Sequence, residues 1–108
     1  MSFDEDQIIY EEGEPTGDGY ILSIGKVRLF KNAGDGNLIE KLTVNSMQVF
    51  GVWNSILGNN VRLFTARVLE KSSALIIPKA TLDKKLSTLD PFLRLLFRQA
   101  LTNNENFE

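Results

Sequence analysis

A run of short β-type segments, closely spaced and then abruptly replaced by a helical rhythm, limits what this chain can fold into. Gln7 to Tyr10, Tyr20 to Ile24 and Val27 to Phe30 are rich in Ile, Val, Tyr and Phe, and each is bounded by Gly, Pro or Asp. Leu38 to Leu42 answers Val27 to Phe30 across the Gly34-Asp35-Gly36 turn, within the loop Asn32 to Asn37, as a hairpin. Val61 to Leu69 and Ser73 to Ile77 supply two more strands, with Glu70-Lys71-Ser72 predicted to turn between them and Pro78 closing the second. A short helix is predicted over Lys79 to Leu86. From Leu89 the apolar residues fall at Leu89, Phe92, Leu93, Leu96, Phe97, Ala100 and Leu101, a 3.6-residue stripe. The stripe predicts a helix from Asp90 to Leu101, with Asp90 as N-cap and Pro91 at the first helical position. Evenly spaced short strands before such helices predict a sandwich or roll. Its expected core is Ile8, Tyr20, Leu22, Val27, Leu29, Phe50, Phe64 and Leu75, with the last helix laid against it.

At 108 residues, 43% hydrophobic and 24% charged, the chain has the size and composition of one small globular domain, here taken as residues 1–108. The net charge of −2 and the dispersed basic residues give no stripe for direct nucleic-acid contact. With no cysteine and no histidine, thiolate chemistry, disulfides, the commonest general base and the commonest metal ligand are all missing. That argues against most hydrolases and against a metal-dependent cupin, so no enzyme, no catalytic residue, no metal and no cofactor is expected. Apolar runs of only a few residues predict no membrane-spanning segment, no membrane partner and no leader, which places the chain in the cytoplasm. The carboxylates Asp4, Glu5, Asp6, Glu11, Glu12 and Glu14 read as a solvated acidic surface.

One stretch carries more specific chemistry. Phe50-Gly51-Val52-Trp53-Asn54 runs from strand residues through a glycine into a helix-compatible turn. The loop Gly58-Asn59-Asn60 follows, and then Arg62-Leu63-Phe64-Thr65-Ala66. A turn of this kind can aim backbone N–H groups and one guanidinium at a single point, which is what a phosphate requires. The candidate ligand-binding residues are Gly51, Val52, Trp53, Asn54, Arg62 and Leu63. Each has a plainer reading beside the sharp one. Gly13, Gly25 and Gly51 can serve positive φ at strand corners, Phe50, Trp53 and Phe64 can be core, and Arg62 can be an anion ligand or half of a structural salt bridge.

Read in order, Glu12-Gly13-Glu14-Pro15, Gly19 to Leu29, the Asn32 to Asn37 turn, Phe50-Gly51 and Arg62 to Ala66 resemble the cyclic nucleotide-binding domain family, over roughly Gln7 to Leu101. The resemblance implies a mainly β fold, a double-stranded β-helix or jelly-roll-like β-roll with C-terminal α-helices. It also implies a phosphate-binding cassette of the form Phe-Gly-Glu, a loop, then Arg followed by small residues. Gly51 and Arg62 stand eleven positions apart, within the range of such cassettes. In the family the glutamate accepts from the ribose 2′-hydroxyl and the arginine pairs with the cyclic phosphate. Arg62 matches that arginine, but Val52 stands where the glutamate belongs, and Leu63 replaces a small residue beside the phosphate. Losing a hydrogen bond to a charged acceptor costs about 1.5–3 kcal/mol, or roughly tenfold to a hundredfold in affinity. The expectation is a regulatory or sensory domain with weak or lost binding of cyclic AMP or cyclic GMP. Members usually carry a longer helix after the one matched by Asp90 to Thr102, so output is expected through a protein partner or a homodimer. The alternative is a purely structural, dimerising β-roll with no ligand.

Overall fold

In the computed structural model, which describes residues 1–56, 58, 60–88, 90–96 and 99, two long strands form the spine of the molecule. In chain order the elements are β1 (Ser2–Phe3), β2 (Ile8–Tyr10), β3 (Gly19–Asn32), β4 (Leu38–Val44), β5 (Val49–Phe50), α1 (Trp53–Ile56), β6 (Thr65–Ile77) and α2 (Lys79–Ser87). β3 and β6 pair antiparallel from Gly19↔Ile77 to Phe30↔Thr65. At one end of this ribbon β2 joins β6 and β4 joins β3; at the other, β1 joins β6 and β5 joins β3. The result is two half-sheets that share their central strands. Phe3, Leu22, Phe50 and Ala74 from one half and Tyr10, Val27, Leu29, Val44, Ala66 and Val68 from the other form a single buried cluster. This is the β-roll that the strand spacing and the resemblance predict.

The two central strands differ from the sequence reading in one instructive way. Tyr20 to Ile24 and Val27 to Phe30 were expected as separate strands, as were Val61 to Leu69 and Ser73 to Ile77, with a turn at Glu70-Lys71-Ser72. Instead β3 and β6 run unbroken for 14 and 13 residues. The Gly25 and Ser72 signals mark a bend. Pairing register slips three times between Leu22 and Val27, where bulges let a ribbon fold over on itself. At the bend Ser72 is buried, its Oγ accepting from Lys26 N at 3.1 Å and donating to Glu70 O at 2.7 Å, so its hydroxyl is satisfied.

The bend also corrects the predicted core. Leu22, Val27, Leu29, Phe50 and Phe64 are buried as expected, and Tyr20 packs at the cluster's edge. Ile8 and Leu75 are exposed, Leu75 by 62%, while Phe3, Tyr10, Val44, Ala66, Val68 and Ala74 take up the interior. A twisted strand that leaves one half-sheet for the other does not keep a strict two-residue alternation through its bulges.

α2 runs one residue beyond its predicted end and begins after Pro78, with Asp18 Oδ1 accepting from Lys79 N at 2.9 Å. Leu82 is its one buried residue and, with Val52, closes over Gly19. Replacing Leu82 by alanine is expected to cost about 2.5 kcal/mol, the usual loss for a buried leucine, read as a lowered urea midpoint. The predicted Asp90 cap is present: Asp90 Oδ1 accepts from Phe92 N at 2.7 Å, and residues 91–96 are helical. The described members of the stripe, however, are not laid on the core. Phe92 is 69% exposed and Leu93 and Leu96 are exposed as well. The rest of the predicted helix, including Leu89, Phe97, Ala100 and Leu101, lies outside the described residues.

Candidate functional site

The cassette residues come together where β5 ends against the start of β3. Phe50 is fully buried between Tyr20, at 5.1 Å between ring centroids, and Tyr10, at 6.4 Å. The chain can then turn only because Gly51 takes φ 77°. A Cβ at this glycine would press to 3.2 Å on both Arg62 Nη1 and the Tyr20 ring, so the position needs glycine for space as well. α1 follows at once, opened by Ile56 N donating to Val52 O at 3.1 Å.

Arg62 is 4% exposed. Its backbone is fixed from both sides, with Arg62 N donating to Glu14 O at 2.8 Å and Gly13 N donating to Arg62 O at 2.9 Å. The side chain turns inward. Nη1 donates to Gly51 O and Nη2 to Asp18 O, each at 2.8 Å, and the guanidinium lies over the Tyr10 ring with Cζ 4.2 Å from its centroid. The plate is therefore stacked on an aromatic face while its edge bridges two main-chain carbonyls. Burial pushes the Tyr10 phenol well above its ordinary range, and the Arg62 charge only partly offsets this. Tyr20 is raised for the same reason. Both phenols therefore stay neutral, and the guanidinium rests on the face of Tyr10.

The other candidates divide between two places. Val52 is 8% exposed and turned toward Gly19, where an added Cβ would meet its Cγ1 at 2.8 Å and Leu82 Cδ2 at 3.5 Å. Trp53 and Leu63 are half-buried and pack on the core cluster, and Asn54 lies on α1. Tyr10, Gly51, Trp53, Leu63 and Phe64 line a space of about 10 Å³, about enough for one water. Asp18 and Tyr10 were not among the candidates, although they hold the guanidinium. Asp18 does two things at once, since its carbonyl takes Arg62 and its carboxylate takes the first amide of α2. The arginine and the helix are thus joined through one residue.

A search of curated proteins finds no match. Among solved structures, the EAL enzyme Bd1971 in its cAMP-bound form is similar at 27% identity and TM-score 0.80 over 95% of this chain. This chain spans only 27% of that one's length. The cGMP-bound form of the same enzyme gives 27% identity and TM-score 0.81, with the same coverage. The sensor domain of the transcriptional regulator DNR from Pseudomonas aeruginosa shares the fold at 17% identity and TM-score 0.73, over 95% of this chain and 69% of that one. The family model for the cyclic nucleotide-binding domain matches residues 1–88. With its roll, its cassette turn and that match over most of its length, the chain belongs to the cyclic nucleotide-binding domain family.

Proposed function

We propose that this chain is a regulatory module that keeps the roll of its family, binds cyclic AMP and cyclic GMP weakly or not at all, and acts through a protein partner or self-association. The observation that carries the reading is the state of Arg62. Its two terminal nitrogens are already committed to Gly51 O and Asp18 O, and the guanidinium is buried on Tyr10. Each terminal nitrogen gives one N–H to a carbonyl, so a cyclic phosphate that drew the guanidinium off the Tyr10 ring would leave both carbonyls desolvated, at about 1–3 kcal/mol each. Val52 adds to this cost, because it offers no acceptor to a ribose hydroxyl and is spent on packing with Gly19. Output through a partner is supported by the helical stretch at 91–96, whose Phe92, Leu93, Leu95 and Leu96 are all exposed.

Isothermal calorimetry of the chain with cyclic AMP and with cyclic GMP tests the reading. The expected result is no heat of binding below the high micromolar range; a micromolar or tighter dissociation constant for either nucleotide overturns it. The alternative, a roll used only for dimerisation, draws on the same exposed helical residues and expects no nucleotide heat at any concentration.

A further inference from the structure

A cleft of about 320 Å³, large enough for a small organic molecule, opens where the cassette loop faces α2 and the helical stretch at 91–96. It shares no lining residue with the space beside Arg62. Its walls come from different parts of the fold. α1 supplies Ser55, the loop before Arg62 supplies Asn60, α2 supplies Lys79, Asp83 and Ser87, and the helical stretch supplies Arg94.

The charges and donors on these walls specify the chemistry of an occupant. Lys79 Nζ lies 2.7 Å from Asp83 Oδ2, so those two charges offset each other. Arg94 pairs with no carboxylate among the described residues. It is half-buried and held through Nη2, which donates to Leu86 O, and the rest of its planar fork is left to donate. The cleft therefore carries one unmatched positive charge. The carbonyls that end α2 do little to oppose an anion, because they already accept: Lys84 O from Ser87 Oγ at 2.8 Å, Lys85 O from Thr88 Oγ1 at 2.9 Å, and Leu86 O from Arg94. Around the guanidinium stand groups that suit hydroxyls. Ser55 and Asn60 can donate and accept, while Ser87 Oγ, its proton already committed to Lys84 O, is left to accept. We propose that this cleft binds a small polyhydroxy carboxylate, a sugar acid of about six carbons, with its carboxylate on Arg94 and its hydroxyls on Ser55, Asn60 and Ser87. Asp83 limits the charge, since a second carboxylate on the ligand would meet its own. Such a ligand needs nothing from Arg62, so the proposal stands apart from the weak-nucleotide reading and does not rest on it.

Calorimetry with three compounds that share one carbon chain tests the site. Sorbitol carries no charge, D-gluconate one carboxylate and D-glucarate two. For D-gluconate a saturable one-to-one heat with a sub-millimolar dissociation constant is expected. Sorbitol should bind at least tenfold more weakly, and D-glucarate more weakly than D-gluconate. Arg94→Gln should cost D-gluconate at least tenfold. Asn60→Ala should cost it severalfold from the opposite wall, and this variant keeps the main-chain bond from Thr16 N to Asn60 O at 2.9 Å, so the loop stays tied. Lys84→Gln removes an exposed charge of α2 that lies outside the cleft lining and should leave the constant unchanged. No saturable heat, sorbitol or D-glucarate binding as tightly as D-gluconate, unchanged affinity in both cleft variants, or an equal loss in Lys84→Gln would each overturn the assignment.

Discussion

Replacing Arg62 by methionine is expected to lower the stability of the free chain by about 3 kcal/mol, and the melting temperature by about 15 °C. Methionine fills much of the same volume but donates nothing. Gly51 O and Asp18 O would then lose their partners in a buried setting, at about 1–3 kcal/mol each, and the stacking of a cation on Tyr10 would be lost as well. The relief of no longer burying a guanidinium offsets part of this, which is why the total is set below the sum of the separate losses. Arg62→Lys should recover less than half, because a point charge on a flexible stem cannot bridge two carbonyls that a planar fork spans. The result discriminates between two roles. An arginine held ready for a phosphate faces the ligand's place, and its removal from the free protein changes stability by no more than about 0.5 kcal/mol, as for other surface substitutions. A loss that small in urea denaturation would sink the closed-cassette reading.

How far this role could be read from the sequence depends on the distance between partners. The Phe50-Gly51 turn was legible because its causes are local: a strand residue, then a glycine that must take positive φ, then helix formers. The Asp90 cap was legible for the same reason, since Asp90 Oδ1 meets an amide two residues on. The direction of Arg62 was not. Whether a guanidinium points to solvent or to a carbonyl is decided by Asp18, 44 residues away in the chain, and by the Tyr10 ring. The alternation of apolar residues does not encode that meeting. Val52 shows the converse. Its mismatch with the family cassette was visible at once, but its packing with Gly19 and Leu82 was not, because α2 must first fold back over the start of β3. At Phe92, Leu93 and Leu96, the described members of the stripe, the pattern is a correct signal for a helix and an incorrect one for burial. A 3.6-residue period says that one face is apolar and leaves open what that face meets.

The bend in the central ribbon gives the other large effect. Gly25→Ala is expected to cost about 4 kcal/mol, a substantial part of the total stability of a domain this size. Two penalties combine there. Gly25 sits at φ 111°, where a side chain is strained, and a Cβ would lie 2.0 Å from Ser72 Oγ and 2.7 Å from Ser72 Cα. Rotating the serine away cannot relieve the second contact, which is with backbone, and it would break the Ser72 bridge from Lys26 N to Glu70 O. The double variant Gly25→Ala/Ser72→Gly should therefore recover little. Gly34→Ala provides the comparison, because Gly34 has φ 93° in the hairpin loop but an added Cβ there meets nothing within 4 Å. It pays only the conformational penalty, about 1 kcal/mol. The difference between the two variants, read from urea midpoints, isolates the close approach of β3 and β6 that lets both strands pass from one half-sheet to the other. Equal losses at Gly25 and Gly34 would mean that the approach of the two strands at Ser72 is not what sets the bend, and that the bulges between Leu22 and Val27 alone carry it.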